Sequence, residues 1–216
     1  MTARAGLDTV LQEIGANFLR MHSLVLEQLT AISKAGRDQR VGDLSASVRR
    51  TDDQIDKLEL TLEDQCLHSI ARHQPVASDL RFLMLVFKSL TDLERAGDYA
   101  VHVADDLVAL LSGSLEARPN DLLPLLAQLV TMLERLSYAF AERDREAAAS
   151  LVILDDEVDA LYEQLQRSNL TRILENPRSL PGALQIARIS RSLERLGDHL
   201  TNIAERLQPW LAHAPR

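Results

Sequence analysis

Four acidic pairs give this chain its chemistry. In each, three residues separate the two acids: Asp52 and Asp56, Glu94 and Asp98, Asp155 and Asp159, Glu194 and Asp198. A spacing of four puts both carboxylates of a pair on one helix face, where like charges cost about 0.2–0.5 kcal/mol even in solvent. Burial raises that cost sharply. An all-oxygen set of carboxylates is relieved by hard or borderline divalent cations such as Mg, Mn and Fe(II). The text around the pairs repeats: LERAGD occupies 93–98 and LERLGD occupies 193–198. Each copy carries a glycine, Gly97 or Gly197, which costs about 1 kcal/mol relative to alanine inside a helix. Close approach of a neighbouring helix or of a bridging ligand would account for both glycines.

Helical geometry places these acids away from open solvent. At about 100° per residue, Glu94, Asp98 and Asp105 fall beside Leu80, Leu83 and Phe87, at the edge of an apolar face. Arg81, Lys88, Arg95, Tyr99 and Asp106 fall on the far side, where solvent is expected. Further along, Glu194, Asp198 and Glu205 share a sector with Ala183, Ala187 and Thr201, while Arg188, Arg195 and Arg206 point outward. Asp52, Asp56, Glu59 and Glu63 group with Val41, Cys66 and Ile70 in the same way. Short connections make successive helices antiparallel neighbours, so an Asp-x-x-x-Asp pair on one helix faces a Glu-x-x-x-Asp pair on the next.

The elements that must position these pairs are set off by glycine and proline. KAGRDQRVGD, HQPVASD, LSGSLEARPNDLLP, AERDRE and ENPRSLPG read as turns. Between them the apolar spacing predicts six helices, near 7–35, 43–73, 78–112, 120–141, 145–175 and 181–208. The chain also repeats itself. TDDQIDKL answers LDDEVDAL at an offset of 103 residues (Asp52 to Asp155), and the Glu-Arg-x-Gly-Asp text recurs at an offset of 100 (Glu94 to Glu194). The expected fold is all-α, two tandem three-helix bundles, with one repeat over 1–113 and the other over 119–216. Aromatics at 4% against 46% hydrophobic residues favour helix packing over a sandwich or barrel.

Charge and composition narrow the function. With 32 acidic against 24 basic side chains and a net charge of −8, the chain is not expected to bind nucleic acid or an anionic membrane, since no basic cluster stands out. Cys66 has no partner for a disulfide, MTARAGLDTV has no apolar signal core, and FLMLVF is far short of a membrane span. A cytoplasmic protein without membrane insertion is expected. No phosphate-binding glycine loop, nucleophile elbow, Cys-x-x-Cys or pair of Glu-x-x-His motifs is present, so an enzyme is not expected. His102, four residues after Asp98, is a weaker ligand candidate because Asn202 replaces it in the second repeat; Glu59, Asp105 and Glu205 are further candidates. The contrary readings are a bundle whose acids are satisfied by arginines, and a metal-dependent hydrolase or oxidase with an open coordination position.

HQPVASDLR, LERAGD, LERLGDHLTNIAE and the two Asp-x-x-x-Asp segments, in this order and over nearly the whole chain, resemble the PhoU family of phosphate-uptake regulators. The resemblance implies two similar three-helix bundles, a homodimer, and divalent metal (iron, zinc, manganese or magnesium). The first site would use Asp52, Asp56, Glu94 and Asp98, and the second Asp155, Asp159, Glu194 and Asp198. It further implies a cytoplasmic adaptor, not an enzyme, that negatively regulates phosphate uptake and the starvation response. Its partners would be the ATPase subunit of a phosphate ABC transporter and a sensor histidine kinase; the alternative is an accessory protein of a Pit-type carrier. Tyr162 and Gln166 stand where Glu59 and Glu63 stand in the first repeat, and the sixth helix lacks a preceding QPVASDLR, so the two sites are expected to differ.

Overall fold

The structure, a computed structural model, describes residues 3–113 and 116–213. Among them are six α-helices and two short 3-10 turns, with no strand: α1 Ala3–Asp38, α2 Leu44–His73, α3 Ala77–Ser112, α4 Leu123–Ala141, α5 Arg145–Glu175 and α6 Leu180–His213. The turns, Pro119–Leu122 and Pro177–Ser179, lead into α4 and α6. The all-α expectation holds.

Four helices form one layer in the order α2, α3, α6, α5, and α1 and α4 lie behind it, touching each other. The α3–α6 pair is the seam between the halves. These two helices run antiparallel: Asp92 meets Asn202 and Arg206, whereas Asp106 meets Gln185 and Arg188. The buried apolar residues of all six helices merge into one cluster. Leu83, Leu90 and Leu93 on α3 are fully buried, each contributing about 1.5–3 kcal/mol through burial.

Local chemistry explains the ends of the helices. Gln74, in the left-handed region at φ 46, closes α2, and its N–H donates to the Ile70 carbonyl. Asp144 caps α5 by accepting from the Ala147 N–H at 2.9 Å. Several helix ends fall a few residues from those predicted, and two of these shifts have a visible cause. Gly36 lies inside α1 and not in the turn; it is buried, and a Cβ there would touch Leu123 at 3.5 Å, so tertiary packing carries the helix on to Asp38. Pro209 does not end α6, although its ring removes one N–H. Trp210 and Leu211 beyond it are buried, and Arg145 donates twice to the Leu211 carbonyl, at 2.9 and 2.7 Å. Among the described residues no helix is long and apolar enough to cross a membrane.

Candidate functional site

The α2–α3 groove gathers the first set of acids. Asp52, Asp56 and Glu59 come from α2, and Glu94 and Asp98 from α3. Gly97 sets how closely the two helices approach. A Cβ on it would stand 2.8 Å from Asp52 Oδ1 and 3.0 Å from Ile55 Cδ1, so any larger residue would displace the carboxylate. Buried Gln28 reaches from α1 and donates to both Asp52 Oδ1 and the Val48 carbonyl, at 3.2 Å each. Burial, helped by the charges of Asp56, Asp98 and Asp53, pushes the Asp52 carboxyl up to about 6, against the opposing Gln28 bond. Burial again, with Asp98, Glu59 and Asp56, outweighs Arg95 and pushes Glu94 up to about 7. Asp56 is raised by burial and by Asp98 and Asp53, and Glu59 by burial and Glu63. One cation serves this group: Arg95 lies 3.5 Å from Glu94 Oε2 and 3.3 Å from Asp98 Oδ2. Asp52, Asp56 and Glu59 have no ion pair among the described residues.

The α5–α6 groove repeats the arrangement with Asp155 and Asp159 facing Glu194 and Asp198; Asp159 and Asp198, like Asp56 in the first groove, are exposed at the groove rim and not turned from solvent as the helical wheel predicts. Burial raises Asp159, helped by the charges of Asp155 and Asp198. Glu194 is raised by burial and then by Asp198, against Arg191 and Arg195; Asp198 is raised by burial and then by Asp155. Glu194 Oε2 is buried without a hydrogen-bond partner. Thr201 donates to Asp155 at 2.7 Å, and none of the four acids has an ion pair among the described residues. Gly197 does different work from Gly97. Its missing Cβ would meet Leu129 at 3.2 Å and Val158 at 3.3 Å, so it admits apolar side chains of α4 and α5 and not a carboxylate.

The further candidates lie elsewhere. Asp105 is ion-paired with Arg49 of α2. His102 is exposed, its ring edge-on to Tyr99 at 6.0 Å, on the side of α3 that faces α6. Glu205 is exposed on α6. Among the described residues no three Asp, Glu, His or Cys side chains converge closely enough, as they stand, to chelate an ion. The structure also corrects the far side of α3. Tyr99 and Asp106 do not face solvent: Tyr99 stacks on His199 at 5.7 Å, and Asp106 accepts from Gln185 and Arg188. Asp92, overlooked in the sequence, is buried in the same seam and accepts from His199, Asn202 and Arg206. Burial alone would raise Asp92, but these donors hold it below the ordinary carboxylate value. Asp92 stands beside Thr91, Glu94 and Arg95 in a polar stretch, and nothing in the sequence sets it apart.

A family model of the PhoU domain matches residues 18–107 and again residues 123–207. The chain belongs to the PhoU family. It is 41% identical over 208 residues to the Deinococcus radiodurans "Phosphate-specific transport system accessory protein PhoU homolog", covering 96% of this chain and 97% of that one. Crystallised PhoU from Pseudomonas aeruginosa superposes with a TM-score of 0.89 at 34% identity, over 96% of this chain and 99% of that one. The phosphate transport system regulatory protein PhoU from Streptococcus pneumoniae gives 0.85 at 27% identity, over 94% and 96%. The six-helix arrangement of this PhoU-family chain is therefore the arrangement of crystallised family members, and the doubled acid grooves lie within the two matched segments.

Proposed function

We propose that this chain is a cytoplasmic negative regulator of phosphate uptake that holds divalent cations in its two acid grooves. It would link the ATPase of a phosphate ABC transporter to a sensor histidine kinase, acting as a homodimer. The accessory role in phosphate transport rests on family membership. The cation reading rests on one observation: two matched carboxylate groups whose protonation is favoured by burial and mutual repulsion, in which Arg95 alone forms ion pairs among the described residues while Lys57, Arg191 and Arg195 act only from further off. The donor set fits an oxygen-preferring ion such as Mg, Mn or Fe(II), and the unpartnered Glu194 Oε2 is a ready ligand atom. Zinc, which the resemblance adds, is the less natural match to carboxylates alone.

Asp52, Asp56, Glu94 and Asp98 would hold the first cation, and Asp155, Asp159, Glu194 and Asp198 the second. A bound divalent ion supplies the charge that offsets the clustered carboxylates. The chain's own part is to draw the side-chain rotamers inward and give up the protons that the grooves favour. Glu94, at about 7, would release its proton on binding, so occupancy should weaken as pH falls below neutrality.

Elemental mass spectrometry on untagged protein tests this directly, with a variant carrying Glu94→Ala, Asp98→Ala, Glu194→Ala and Asp198→Ala beside it. Several divalent ions per chain, lost in the variant, are expected. Substoichiometric metal in both proteins after reconstitution with Fe, Mn, Mg and Zn would end the cation reading. The wiring has its own test: deletion should leave phosphate-starvation promoters active in rich phosphate, and the chain should co-purify with the transporter ATPase.

A further inference from the structure

A cleft of about 450 Å³ opens where α3 crosses α6, lined by Tyr99, His102, Arg188, Arg191, Ser192 and Arg195. Its two acids are already engaged: Asp105 by Arg49, and Asp106 by Gln185 and by Arg188 at 2.8 Å. Arg191 and Arg195 remain. Both feel the charges of Glu194 and Asp198 from the neighbouring groove, yet neither has an ion pair among the described residues, and Arg195 leans on the Tyr99 hydroxyl. In a chain of net charge −8, this is a local surplus of cations that the linear sequence does not display.

The internal repeat supplies the comparison that interprets it. At the other end of the same helix pair, the Asp92 carboxylate is seated among His199, Asn202 and Arg206. The residue 100 positions after Asp92 is Ser192, an uncharged hydroxyl. One end of the seam thus seats a carboxylate at this position, while at the other end the corresponding position is neutral and the cleft's two carboxylates, Asp105 and Asp106, are each paired with another arginine, leaving Arg191 and Arg195 facing the cleft.

We propose that this cleft binds a small phosphate-bearing anion, with Arg191 and Arg195 as the charged clamps and Ser192 and Tyr99 as hydroxyl donors. Guanidinium groups pair bidentately with phosphate oxygens. Donors converging from two helices suit a tetrahedral dianion better than a planar carboxylate. The site is distinct from the acid grooves and does not depend on their holding metal.

The test is isothermal titration of the full chain in EDTA, so that no cation in the acid grooves can recruit the anion. The probes are inorganic phosphate and pyrophosphate, with citrate as a carboxylate control. Saturable binding of either phosphate probe, stronger than citrate, is expected. The affinity should fall about tenfold or more when both guanidinium groups are removed in Arg191→Ala/Arg195→Ala. It should be lost in Ser192→Asp, which adds to the cleft an unpaired carboxylate at the position that Asp92 holds at the other end. No saturable binding by wild type, citrate binding as tightly as the phosphates, or unchanged affinity in Ser192→Asp would overturn the proposal. Circular dichroism establishes that each variant is folded; should the double variant fail to fold, Ser192→Asp and Arg191→Lys, which keeps the charge but loses the fork, decide the matter. Because the titration excludes metal, its failure leaves the cation reading standing, and the reverse also holds.

Discussion

Asp52→Asn is the sharpest probe of the first groove. The replacement keeps the shape and the oxygen that accepts from Gln28, and removes only the charge. Burial and neighbouring acids raise this carboxyl from 3.8 to about 6, which sets a ceiling of about 3 kcal/mol on the cost of ionising it in the folded chain. The carboxyl is only half-buried, so solvent screening brings that to about 1–2 kcal/mol. The sign follows from linkage: an acid whose folded pKa is raised binds its proton more tightly when folded. Its destabilising contribution therefore grows as pH rises from the ordinary carboxylate value to about 6, and is constant above that. In EDTA at pH 7.5, Asp52→Asn should raise the unfolding free energy measured in urea by about 1–2 kcal/mol, with the gap falling to roughly half by pH 5. With saturating Mn or Mg the order should invert, because the variant loses a ligand. A variant less stable than wild type in EDTA, or a gap that does not change between pH 5 and 7.5, would refute the electrostatic account of this groove.

Asp92→Ala should destabilise the chain by about 2–4 kcal/mol, because it strands His199, Asn202 and Arg206 in the seam; thermal unfolding at pH 7 measures it. The pH dependence of this group has the opposite sign: its folded value is depressed, so its contribution is present above the ordinary carboxylate range and is lost as pH falls through the depressed value. Gly182→Ala should cost about 1–3 kcal/mol by overpacking, since the new Cβ would lie 2.5 Å from the Glu116 carbonyl oxygen of the connecting segment. A lowered melting temperature with unchanged helical circular dichroism is the expected readout. Trp210→Ala should cost about 3–5 kcal/mol, because its ring packs on Phe140 and Phe82 at 5.6 and 5.8 Å and lies beneath Arg143; urea unfolding gives the value.

Much of the scaffold was legible because it depends on local, periodic information. Apolar spacing marks helices, proline and glycine mark most of the turns, and a repeat of text at offsets of 100 and 103 announces two matched halves. The carboxylates were legible too. A spacing of four puts side chains on one face whatever the rest of the fold does, so the grooves collect Asp52, Asp56, Glu94 and Asp98, and again Asp155, Asp159, Glu194 and Asp198. Periodicity could not say what covers the other side of α3. A helical wheel divides a helix into apolar and polar faces, and a polar face reads as solvent even where a second polar face seals it.

That seam was decided by tertiary structure alone. Asp92 lies more than one hundred residues from His199, Asn202 and Arg206 and meets them because two antiparallel helices cross. The same crossing sorts Arg188, Arg191 and Arg195 with Tyr99 and His102 into one cleft, and seats Asp106 against α6. Packing against the remaining helices gives the two glycines unlike neighbours: Gly97 the Asp52 carboxylate and Ile55 of α2, Gly197 Leu129 of α4 and Val158 of α5. Matching text thus acquires different surroundings, because sequence specifies the face a residue occupies and packing specifies what lies against that face.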